Sequence, residues 1–526
     1  MHHLMVDPRS GAAVYNSTTP HTITGLAPDS VTLPNGWVAV PPTLPNFQRL
    51  HRHGVPVPPV MKDYDWPGRF TPFEAQRLTA NFLVLNKRAF VLSDMGTGKT
   101  NAALWAADYL MRQSRQPLRA LIISPLSTLR RVWSDAIFNT FVGRRTSLVL
   151  HGSSEAREKT LKQSADFYII NFEGLGVGCN PRKQELRGFA KAFAERNDIQ
   201  IVIIDEASAY KDSSTLRHKV ARLMVGNKEY LWAMTGTPTP NGPTDAYGIA
   251  KLVNNAFGES FTSFKARTML QVSNFKWKPR QGSHEMAYKL MSPSIRFAID
   301  ECVDLPECTV QTRDAELSSD QKALYNELKN NLKVAVKEKT INVANEGVLR
   351  SKLIQISCGA VYDDKHEAHY IDASPRLAVL DELVSQCAHK VIIFAPLTSV
   401  VEMVYKHLRD KRDIACAVVN GAVSDAQRSE IFRRFQHEQE PRIIVADPGT
   451  MAHGLTLTAA TCIIWYAATD KTEVYLQANK RIHRPGQVHK TTIVQIAATA
   501  TEREIYRRLE ANESLQGAVL ALAEER

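Results

Sequence analysis

Two groups of continuous apolar segments, separated by a stretch of different character, constrain this chain more than any other feature of its sequence. The first group lies between residues 88 and 234, and the second lies between residues 390 and 496. The segments are 88–93, 120–124, 166–170, 200–204, 230–234, 390–394, 415–419, 442–445, 462–465 and 492–496. Strands without polar alternation are buried on both faces, as in a parallel sheet that is covered by helices. The sequence therefore predicts an α/β fold with two parallel-sheet units.

The length of 526 residues also favours several domains, because a single hydrophobic core rarely organises more than about 250–300 residues. We expect an irregular arm over residues 1–65, since its many prolines interrupt helices, with at most a short helix near 47–53. The remaining predicted units are a first lobe at 66–255, a largely helical and basic insertion at 256–372, a second lobe at 373–510 and a tail at 511–526. Within the insertion, residues 318–337 are expected to be helical.

Composition and terminal sequence exclude several classes of protein. No apolar stretch approaches the roughly 18 residues that a membrane-spanning helix needs. Residues 1–8 lack a basic start followed by an apolar run, so we expect a soluble, cytoplasmic chain. The seven cysteines form no Cys-x-x-Cys pair, which argues against a disulfide framework or a zinc ribbon. The net charge of +11 favours a polyanionic partner.

A phosphate-binding loop is the clearest chemical motif. Residues 95–100 read Met-Gly-Thr-Gly-Lys-Thr, after an apolar segment and before a helix-compatible run. The small residues Gly96, Thr97 and Gly98 let backbone N–H groups surround a phosphate, and the following helix adds its positive N-terminal dipole. Lys99 is expected to reach the β- and γ-phosphates, and the Thr100 hydroxyl to bind Mg²⁺. Ser93 stands where this loop usually has its first glycine, so the alternative of a plain helix-capping turn remains.

The second half of the predicted site is the sequence Asp-Glu-Ala-Ser at 205–208, which follows the apolar segment 200–204. Two acids at the end of a buried strand place Asp205 near a metal, and Glu206 where it can orient or deprotonate an attacking water. Taken alone, this pair is typical of a solvated strand end. In combination with the phosphate loop, it predicts hydrolysis of ATP with Mg²⁺.

Further motifs are distributed over both predicted lobes. They lie at 73–76, 121–133, 235–241, 420–435, 454–457 and 477–487. The last of these has the spacing Gln-x-x-x-Arg-x-His-Arg-x-Gly-Gln. Together the motifs resemble those of superfamily 2 helicases, and among them the SNF2-type DNA translocases, over residues 72–509. The compact chain is similar to viral or prokaryotic members.

This resemblance implies two RecA-like lobes with ATP bound between them. It implies that Gln76 contacts the adenine and that Gly454 contributes to the nucleotide site from the second lobe. Arg481 and Arg484 would act as arginine fingers, a role that suits a guanidinium because it is always charged and bonds oxygens in a fork. A basic surface helix is the alternative interpretation of 477–487. Duplex or branched DNA is the implied partner of a monomeric chain.

Three departures from the family pattern are expected to leave ATP hydrolysis intact and to alter the fine coupling between ATP and DNA. Ser208 stands in place of a histidine, Met451 and Ala452 replace two glycines, and Thr456 replaces an asparagine.

Candidate nucleic-acid contacts are less specific. Lys211 is six residues beyond Asp205, where it could meet a phosphate or remain solvated. Residues 261–296 carry seven Lys and Arg against one acid, with aromatic residues between them. In this stretch we expect Lys276, Lys278 and Arg280 to contact DNA, although a structural protrusion with solvated charges is equally compatible with the sequence.

The functional hypothesis is a DNA-stimulated ATPase that translocates along duplex DNA and remodels bound proteins or branched junctions. A strand-separating or strand-annealing helicase is a second hypothesis. An ATP-gated nucleic-acid clamp with little turnover is a third.

Overall fold

The computed structural model describes residues 2–69, 71–273, 276–337, 343–363, 365, 367–451, 456–469 and 471–521. The strands are β1 (His2–Val6), β2 (Ala13–Ser17), β3 (Val31–Thr32), β4 (Val38–Val40), β5 (Arg88–Val91), β6 (Arg119–Ser124), β7 (Ser147–Val149), β8 (Phe167–Asn171), β9 (Cys179–Asn180), β10 (Glu185–Leu186), β11 (Ile199–Ile204), β12 (Tyr230–Met234), β13 (Met269–Ser273), β14 (Lys276–Pro279), β15 (Ser294–Ile295), β16 (Cys308–Asp314), β17 (Ala360–Tyr362), β18 (Ala368–Tyr370), β19 (Lys390–Phe394), β20 (Cys416–Val419), β21 (Ile443–Ala446), β22 (Ala460–Trp465) and β23 (Thr491–Ala497).

The helices are α1 (Pro20–Leu26), α2 (Leu44–Arg52), α3 (Glu74–Leu85), α4 (Lys99–Gln113), α5 (Asp135–Phe141), α6 (Ser154–Lys162), α7 (Gly188–Ala194), α8 (Leu216–Val225), α9 (Ala246–Val253), α10 (Phe261–Thr268), α11 (Ser283–Leu290), α12 (Ile299–Cys302), α13 (Ser319–Lys337), α14 (Val343–Cys358), α15 (Ser374–Gln386), α16 (Thr398–Lys406), α17 (Asp425–His437), α18 (Thr472–Asn479) and α19 (Ala500–Ala521). Short 3₁₀ or π turns occur at Leu126–Thr128, Leu129–Ser134, Gly174–Gly176, Ala207–Tyr210, Pro243–Asp245, Asn255–Gly258, His407–Lys411 and Pro448–Met451. None of the helices within the described ranges is both long and apolar enough to cross a membrane.

The first lobe is a seven-stranded parallel sheet with the order β15-β5-β12-β11-β6-β8-β7. Alternate residues of a strand enter different cores: Ile122 and Ile203 pack on one face, whereas Ile123 and Ile204 pack on the other. Since side chains alternate across a sheet, a strand covered on both faces must be apolar throughout. The apolar segments 88–93 to 230–234 therefore form the interior of this sheet, as the sequence predicts.

The second lobe is a six-stranded parallel sheet with the order β16-β23-β22-β19-β21-β20. Ile392 and Ile463 belong to the core on one face, and Ile393 and Ile464 belong to the core on the other. The predicted α/β class with two parallel sheets is confirmed.

The prediction of an irregular N-terminal arm is wrong for most of its length. Strands β1 to β4 form an antiparallel sheet with the order β1-β2-β4-β3, and α2 covers the predicted short helix. Tyr15, Val38 and Leu50 are fully buried in a core of this unit. The prolines do not prevent the two helices, because Pro20 and Pro45 lie in first turns, where no backbone N–H is needed.

The stretch between the lobes holds the helices α10 to α14, together with strands that the sequence did not predict. It contains α10, the β13–β14 hairpin and α11, and α13 matches the predicted helix at 318–337. It also contributes an edge strand to each sheet, since β15 pairs with β5 and β16 pairs with β23. Neither strand has a long apolar run, which explains why the sequence pattern gave no sign of them. At the other end of the chain, α19 continues through residues 511–521 of the predicted tail.

Candidate active site

The phosphate loop lies between the end of β5 and the start of α4. Gly96 and Gly98 have φ angles of +91° and +78°, which favour glycine. A Cβ atom on Gly98 would lie 1.9 Å from Gln76 Nε2, and one on Gly96 would lie 3.3 Å from Pro485 Cδ. The loop is therefore a glycine-dependent turn that leads into a helix N-terminus, which is the geometry that binds phosphate.

Lys99 is the first residue of α4, and its side chain returns over the loop. Its Nζ atom donates to the carbonyl oxygens of Ser93 and Asp94, at 2.8 Å in both cases. Burial lowers the pKa of Lys99, while the carboxylates of Glu206 and Asp205 act in the opposite direction. The ammonium group thus faces the two acids that the sequence assigned to the same site.

Gln76 contacts the phosphate loop directly. Its Oε1 atom accepts a hydrogen bond from the backbone N–H of Phe73 at 2.9 Å, and its Nε2 atom donates to the Gly98 carbonyl at 3.4 Å. Thr97 Oγ1 donates to the Asp94 carbonyl at 2.8 Å, and Thr100 is the second residue of α4. Predicted site residues at 76 and 97–100 are therefore brought together around one turn.

Asp205 directly follows β11, and its backbone N–H donates to the Ile123 carbonyl of β6. The indole Nε1 of Trp133 donates to Asp205 Oδ2 at 3.0 Å. Burial raises the pKa of Asp205, and this hydrogen bond opposes the rise. Trp133 belongs to the motif at 121–133, but its contact with a residue 72 positions away gave no signal in the sequence.

Glu206 has an unusual backbone for a residue with a side chain, with φ 49° and ψ 53°. Left-handed backbone at a non-glycine residue is strained and is often found at functional sites. Burial raises the pKa of Glu206 to about 8, with further contributions from the negative charges of Asp205 and Glu473. Lys99 and Arg481 oppose this shift. A carboxylate with a pKa near neutrality suits a role in proton transfer from water.

The second lobe contributes the loop after α18 to this site. Arg484 Cγ lies 3.9 Å from the position of a Cβ atom on Gly96, and Arg484 Nε donates to the Lys480 carbonyl at 2.7 Å. Burial lowers the pKa of Arg484 to about 10, whereas Glu206 opposes that shift. Arg481 is fully buried. Burial and the positive charge of Arg484 lower the pKa of Arg481, whereas the negative charge of Glu206 opposes this shift. The two arginines and Lys99 therefore surround one site that both lobes build.

Contacts across the boundary of the lobes involve residues that the sequence did not assign to the site. Gln477 Nε2 donates to Glu206 Oε2 and to Glu473 Oε1, at 3.3 Å in each case. Ser208 Oγ donates to Glu473 Oε1 at 2.5 Å. Gln477 and Glu473 lie four residues apart on α18 and so share one helix face. Gln477 lies in the motif at 477–487, but nothing in the sequence indicated Glu473.

The predicted nucleic-acid residues lie on different elements of the fold. Lys211 lies 4.0 Å from Glu473 Oε2, at the boundary between the lobes. Lys276 and Lys278 belong to β14 of the hairpin, and the exposed Arg280 follows this strand and donates through Nε to the Met269 carbonyl. Gly454, which the sequence assigned to the nucleotide site, lies outside the described residues.

A cleft of about 240 Å³ lies between residues of the two lobes. Its lining residues are Leu126, Ser127, Leu129, Arg130, Val149, His151, Asp425, Arg428, Ser429, Phe432 and Thr450. Arg130 belongs to the motif at 121–133, and Arg428 belongs to the motif at 420–435. Two predicted motifs that are distant in sequence therefore line one cleft.

Comparison with known families identifies both halves of the chain. Residues 76–359 match the family described as SNF2-related domain, and residues 375–486 match the family described as helicase conserved C-terminal domain. The first match alone covers more than half of the chain.

Individual relatives are distant. The chain is 24% identical to "Putative protein p41" of Acyrthosiphon pisum secondary endosymbiont phage 1, over 78% of this chain and 88% of that protein. It is 25% identical to "Putative ATP-dependent helicase/translocase YwqA" of Bacillus subtilis, over 82% of this chain but only 46% of that protein. A solved structure of the SWI2/SNF2 ATPase core of Sulfolobus solfataricus in complex with dsDNA aligns with 89% of this chain, at 19% identity and a TM-score of 0.40.

Proposed function

The chain belongs to the SNF2-related family of helicases, and from this membership we propose that it is an ATP-dependent DNA translocase. It hydrolyses ATP between its two parallel sheets and uses their relative movement to travel along duplex DNA. The products of this movement are remodelled protein–DNA complexes or rearranged branched DNA. We further propose that it acts as a monomer in the cytoplasm.

The observation that carries this proposal is the position of Arg484 against the phosphate loop. A residue of the second lobe lies beside Gly96 of the first, and the negative charge of Glu206 acts on both Arg481 and Arg484. A guanidinium in this position can bond the oxygens of a transferring phosphoryl group. Such a group can contribute about 10³–10⁵ to turnover. Because it comes from the other lobe, hydrolysis depends on how the lobes are arranged.

The first lobe supplies the remaining chemistry. Lys99, whose Nζ atom donates to two carbonyl oxygens of the loop, is assigned to the β- and γ-phosphates of ATP. Asp205 and Thr100 offer the carboxylate and hydroxyl oxygens that Mg²⁺ prefers, and the ion would neutralise charge on the phosphate oxygens. Glu206 orients the attacking water or accepts its proton. We assign adenine contact to Gln76 and a place in the nucleotide site to Gly454, as the family resemblance implies.

The cleft between the lobes is the proposed path of the DNA. Arg130 comes from the first lobe and Arg428 from the second. A change in the distance between the lobes would therefore shift the phosphate backbone of a DNA that is bound to both arginines. Lys211 and the hairpin residues Lys276, Lys278 and Arg280 are proposed as additional phosphate contacts. The net charge of +11 supports a polyanionic partner.

Strand separation is a second candidate function, and one observation favours it. The β13–β14 hairpin pairs with no other strand among the described residues, and Lys265 Nζ lies 4.1 Å from the centre of the Trp277 ring within it. An isolated hairpin with an aromatic residue could separate the strands of a duplex by stacking on a base.

ATP turnover measured with no DNA, single-stranded DNA, duplex DNA and forked DNA tests the proposal. We expect duplex or branched DNA to stimulate turnover most. A strand-displacement assay on the forked substrate separates translocation from unwinding. Negligible turnover with every DNA, together with ATP-dependent DNA retention, would replace the translocase by an ATP-gated clamp.

A further inference from the structure

The segment that joins the two sheets is bonded to the phosphate loop. We call residues 296–307, between β15 and β16, the linker. The Asp94 backbone N–H donates to the Phe297 carbonyl at 3.0 Å, and the Phe297 backbone N–H donates to Ser93 Oγ at 3.1 Å. The Ile299 backbone N–H donates to Asp94 Oδ2 at 3.3 Å. Three hydrogen bonds therefore fix the start of the linker on the two residues before the glycine turn.

Side chains of the same segment extend this contact. Arg296 is 10% exposed, and its Nη2 atom lies 3.8 Å from Asp94 Oδ1. Ile299 is 3% exposed, and its Cδ1 atom lies 3.3 Å from the position of a Cβ atom on Gly96. The start of the linker therefore forms one wall of the phosphate loop, beside the wall formed by Pro485 of the second lobe.

The far end of the linker is fixed to the second lobe. His483 Nε2 donates to the Pro306 carbonyl at 2.9 Å, and the Thr491 backbone N–H donates to the Glu307 carbonyl at 2.9 Å. His483 is next to Arg484 in sequence. The linker thus runs from the phosphate loop to the loop that carries the proposed arginine fingers.

The path between these two attachments is short. Only residues 300–305 separate Ile299 from Pro306, and three of the residues in this region continue the helical turn α12 after Ile299. A helical residue spans about 1.5 Å, less than half of the 3.3–3.6 Å of an extended one, so the turn keeps the segment shorter than its fully extended length.

We propose that the linker is a strut that positions the arginine fingers against the phosphate loop, with Ser93 and Asp94 as positioning residues. The proposal rests on the proposed ATP hydrolysis and adds the element that sets its geometry. It also accounts for Ser93, which stands where a phosphate loop usually has glycine. A glycine would offer the same carbonyl oxygen to Lys99, but it has no hydroxyl to accept the Phe297 N–H. The serine therefore serves the linker rather than the phosphate.

Lengthening the strut tests this role while leaving both attachments in place. We would insert two glycines between Asp304 and Leu305 and measure kcat and KM for ATP in the presence of duplex DNA. A misplacement of about 1 Å can cost about 10²-fold in rate, so we expect kcat to fall at least about tenfold while KM changes less than about twofold. The same insertion beside Gly36, in the exposed turn before β4, should change neither constant. A linker variant with wild-type kcat would overturn the proposal.

Ser93→Gly is the second test, and it decides alone if the insertion variant fails to give a normal unfolding transition. This change restores the usual phosphate-loop residue. A role of Ser93 in phosphate binding alone would therefore predict equal or higher turnover in the variant. Loss of the linker contact instead predicts a severalfold lower kcat with an unchanged KM. Asp94→Asn, which keeps an acceptor for the Ile299 N–H, should lose less kcat than Asp94→Ala. Equal kcat in the wild type and Ser93→Gly would overturn the strut, whereas a wild-type chain without ATP turnover would overturn the proposed function itself.

Discussion

The Ser208 hydroxyl donates a 2.5 Å hydrogen bond to the Glu473 carboxylate, and this bond joins the loop after β11 of the first lobe to α18 of the second. Glu473 also accepts from Gln477, whose amide donates to Glu206 as well. Glu206, the proposed catalytic carboxylate, is therefore connected through Gln477 and Glu473 to Ser208. Ser208 is the position at which the family resemblance implies a histidine. Ser208 thus contacts the second lobe through a glutamate of α18.

This relationship predicts that Ser208 and Glu473 act as one unit. We expect Ser208→Ala and Glu473→Gln each to lower kcat severalfold, because each weakens the hydrogen bonds that hold Gln477 against Glu206. Residues in direct contact are not additive, so the double variant should be little worse than either single one. Measurement of kcat for the four proteins at saturating ATP checks this. Independent, additive losses would show that the hydrogen bond does not contribute to catalysis.

Lys99→Ala and Glu206→Gln should each abolish ATP turnover and leave DNA binding measurable. The first removes the cation that faces the phosphates, and the second keeps the size of the side chain but cannot accept a proton. ATPase assays and DNA binding by fluorescence anisotropy, on the same preparations, separate these effects. Full turnover in Glu206→Gln would contradict the role assigned to that carboxylate.

Arg484→Ala should lower kcat by about 10³ or more while ATP binding stays near normal, because an arginine finger acts mainly on charge that develops in the reaction. Arg484→Lys keeps a positive charge but not the planar fork, and it should recover only part of the loss. Arg507→Ala removes an exposed arginine of α19 and serves as the control. An equal loss of ATP affinity and kcat in Arg484→Ala would remove the finger assignment.

How much of this structure the sequence could predict depends on the kind of signal each part carries. Strands such as β6 and β11 each carry four consecutive apolar residues, at 120–123 and 201–204, because both faces are covered, so their sequence alone identifies them. Strand β16 is mostly polar and mostly exposed at the edge of its sheet, so its sequence has no such run. The phosphate loop and the acids at 205–206 are local motifs, which is why they could be predicted. The bonds from Trp133 to Asp205 and from Ser208 to Glu473 depend on the packing of distant elements, which no local pattern encodes.

Arg376 and Glu502 form a fully buried ion pair, and removing one partner should destabilise the second lobe. Arg376 also donates to the carbonyl oxygens of Ser357, Tyr466 and Ile496, so that one guanidinium joins the ends of several elements. Removing one partner of a buried pair leaves an uncompensated charge, at a cost of about 3–5 kcal/mol. We therefore expect Glu502→Gln to shift the urea unfolding midpoint of this lobe strongly.

The matched control for this ion pair is on the surface. Lys490 and Glu307 lie 3.0 Å apart with side chains that are 80% and 61% exposed. Lys490→Ala should therefore change the free energy of unfolding by less than about 1 kcal/mol. Similar destabilisation by Lys490→Ala and Glu502→Gln would show that burial does not decide the strength of these pairs.

The β13–β14 hairpin should contribute phosphate contacts to DNA binding. Changing Lys276, Lys278 and Arg280 to Gln should weaken binding, and each lost phosphate contact should reduce the salt slope of log K by about 0.9. A matched triple change at the exposed residues Arg115, Arg182 and Lys183 alters the net charge equally without touching the hairpin. Titrations of duplex DNA at several salt concentrations compare the two variants. A slope unchanged from the wild type in the hairpin variant would show that these charges are only solvated, whereas equal flattening in both variants would assign the effect to net charge alone.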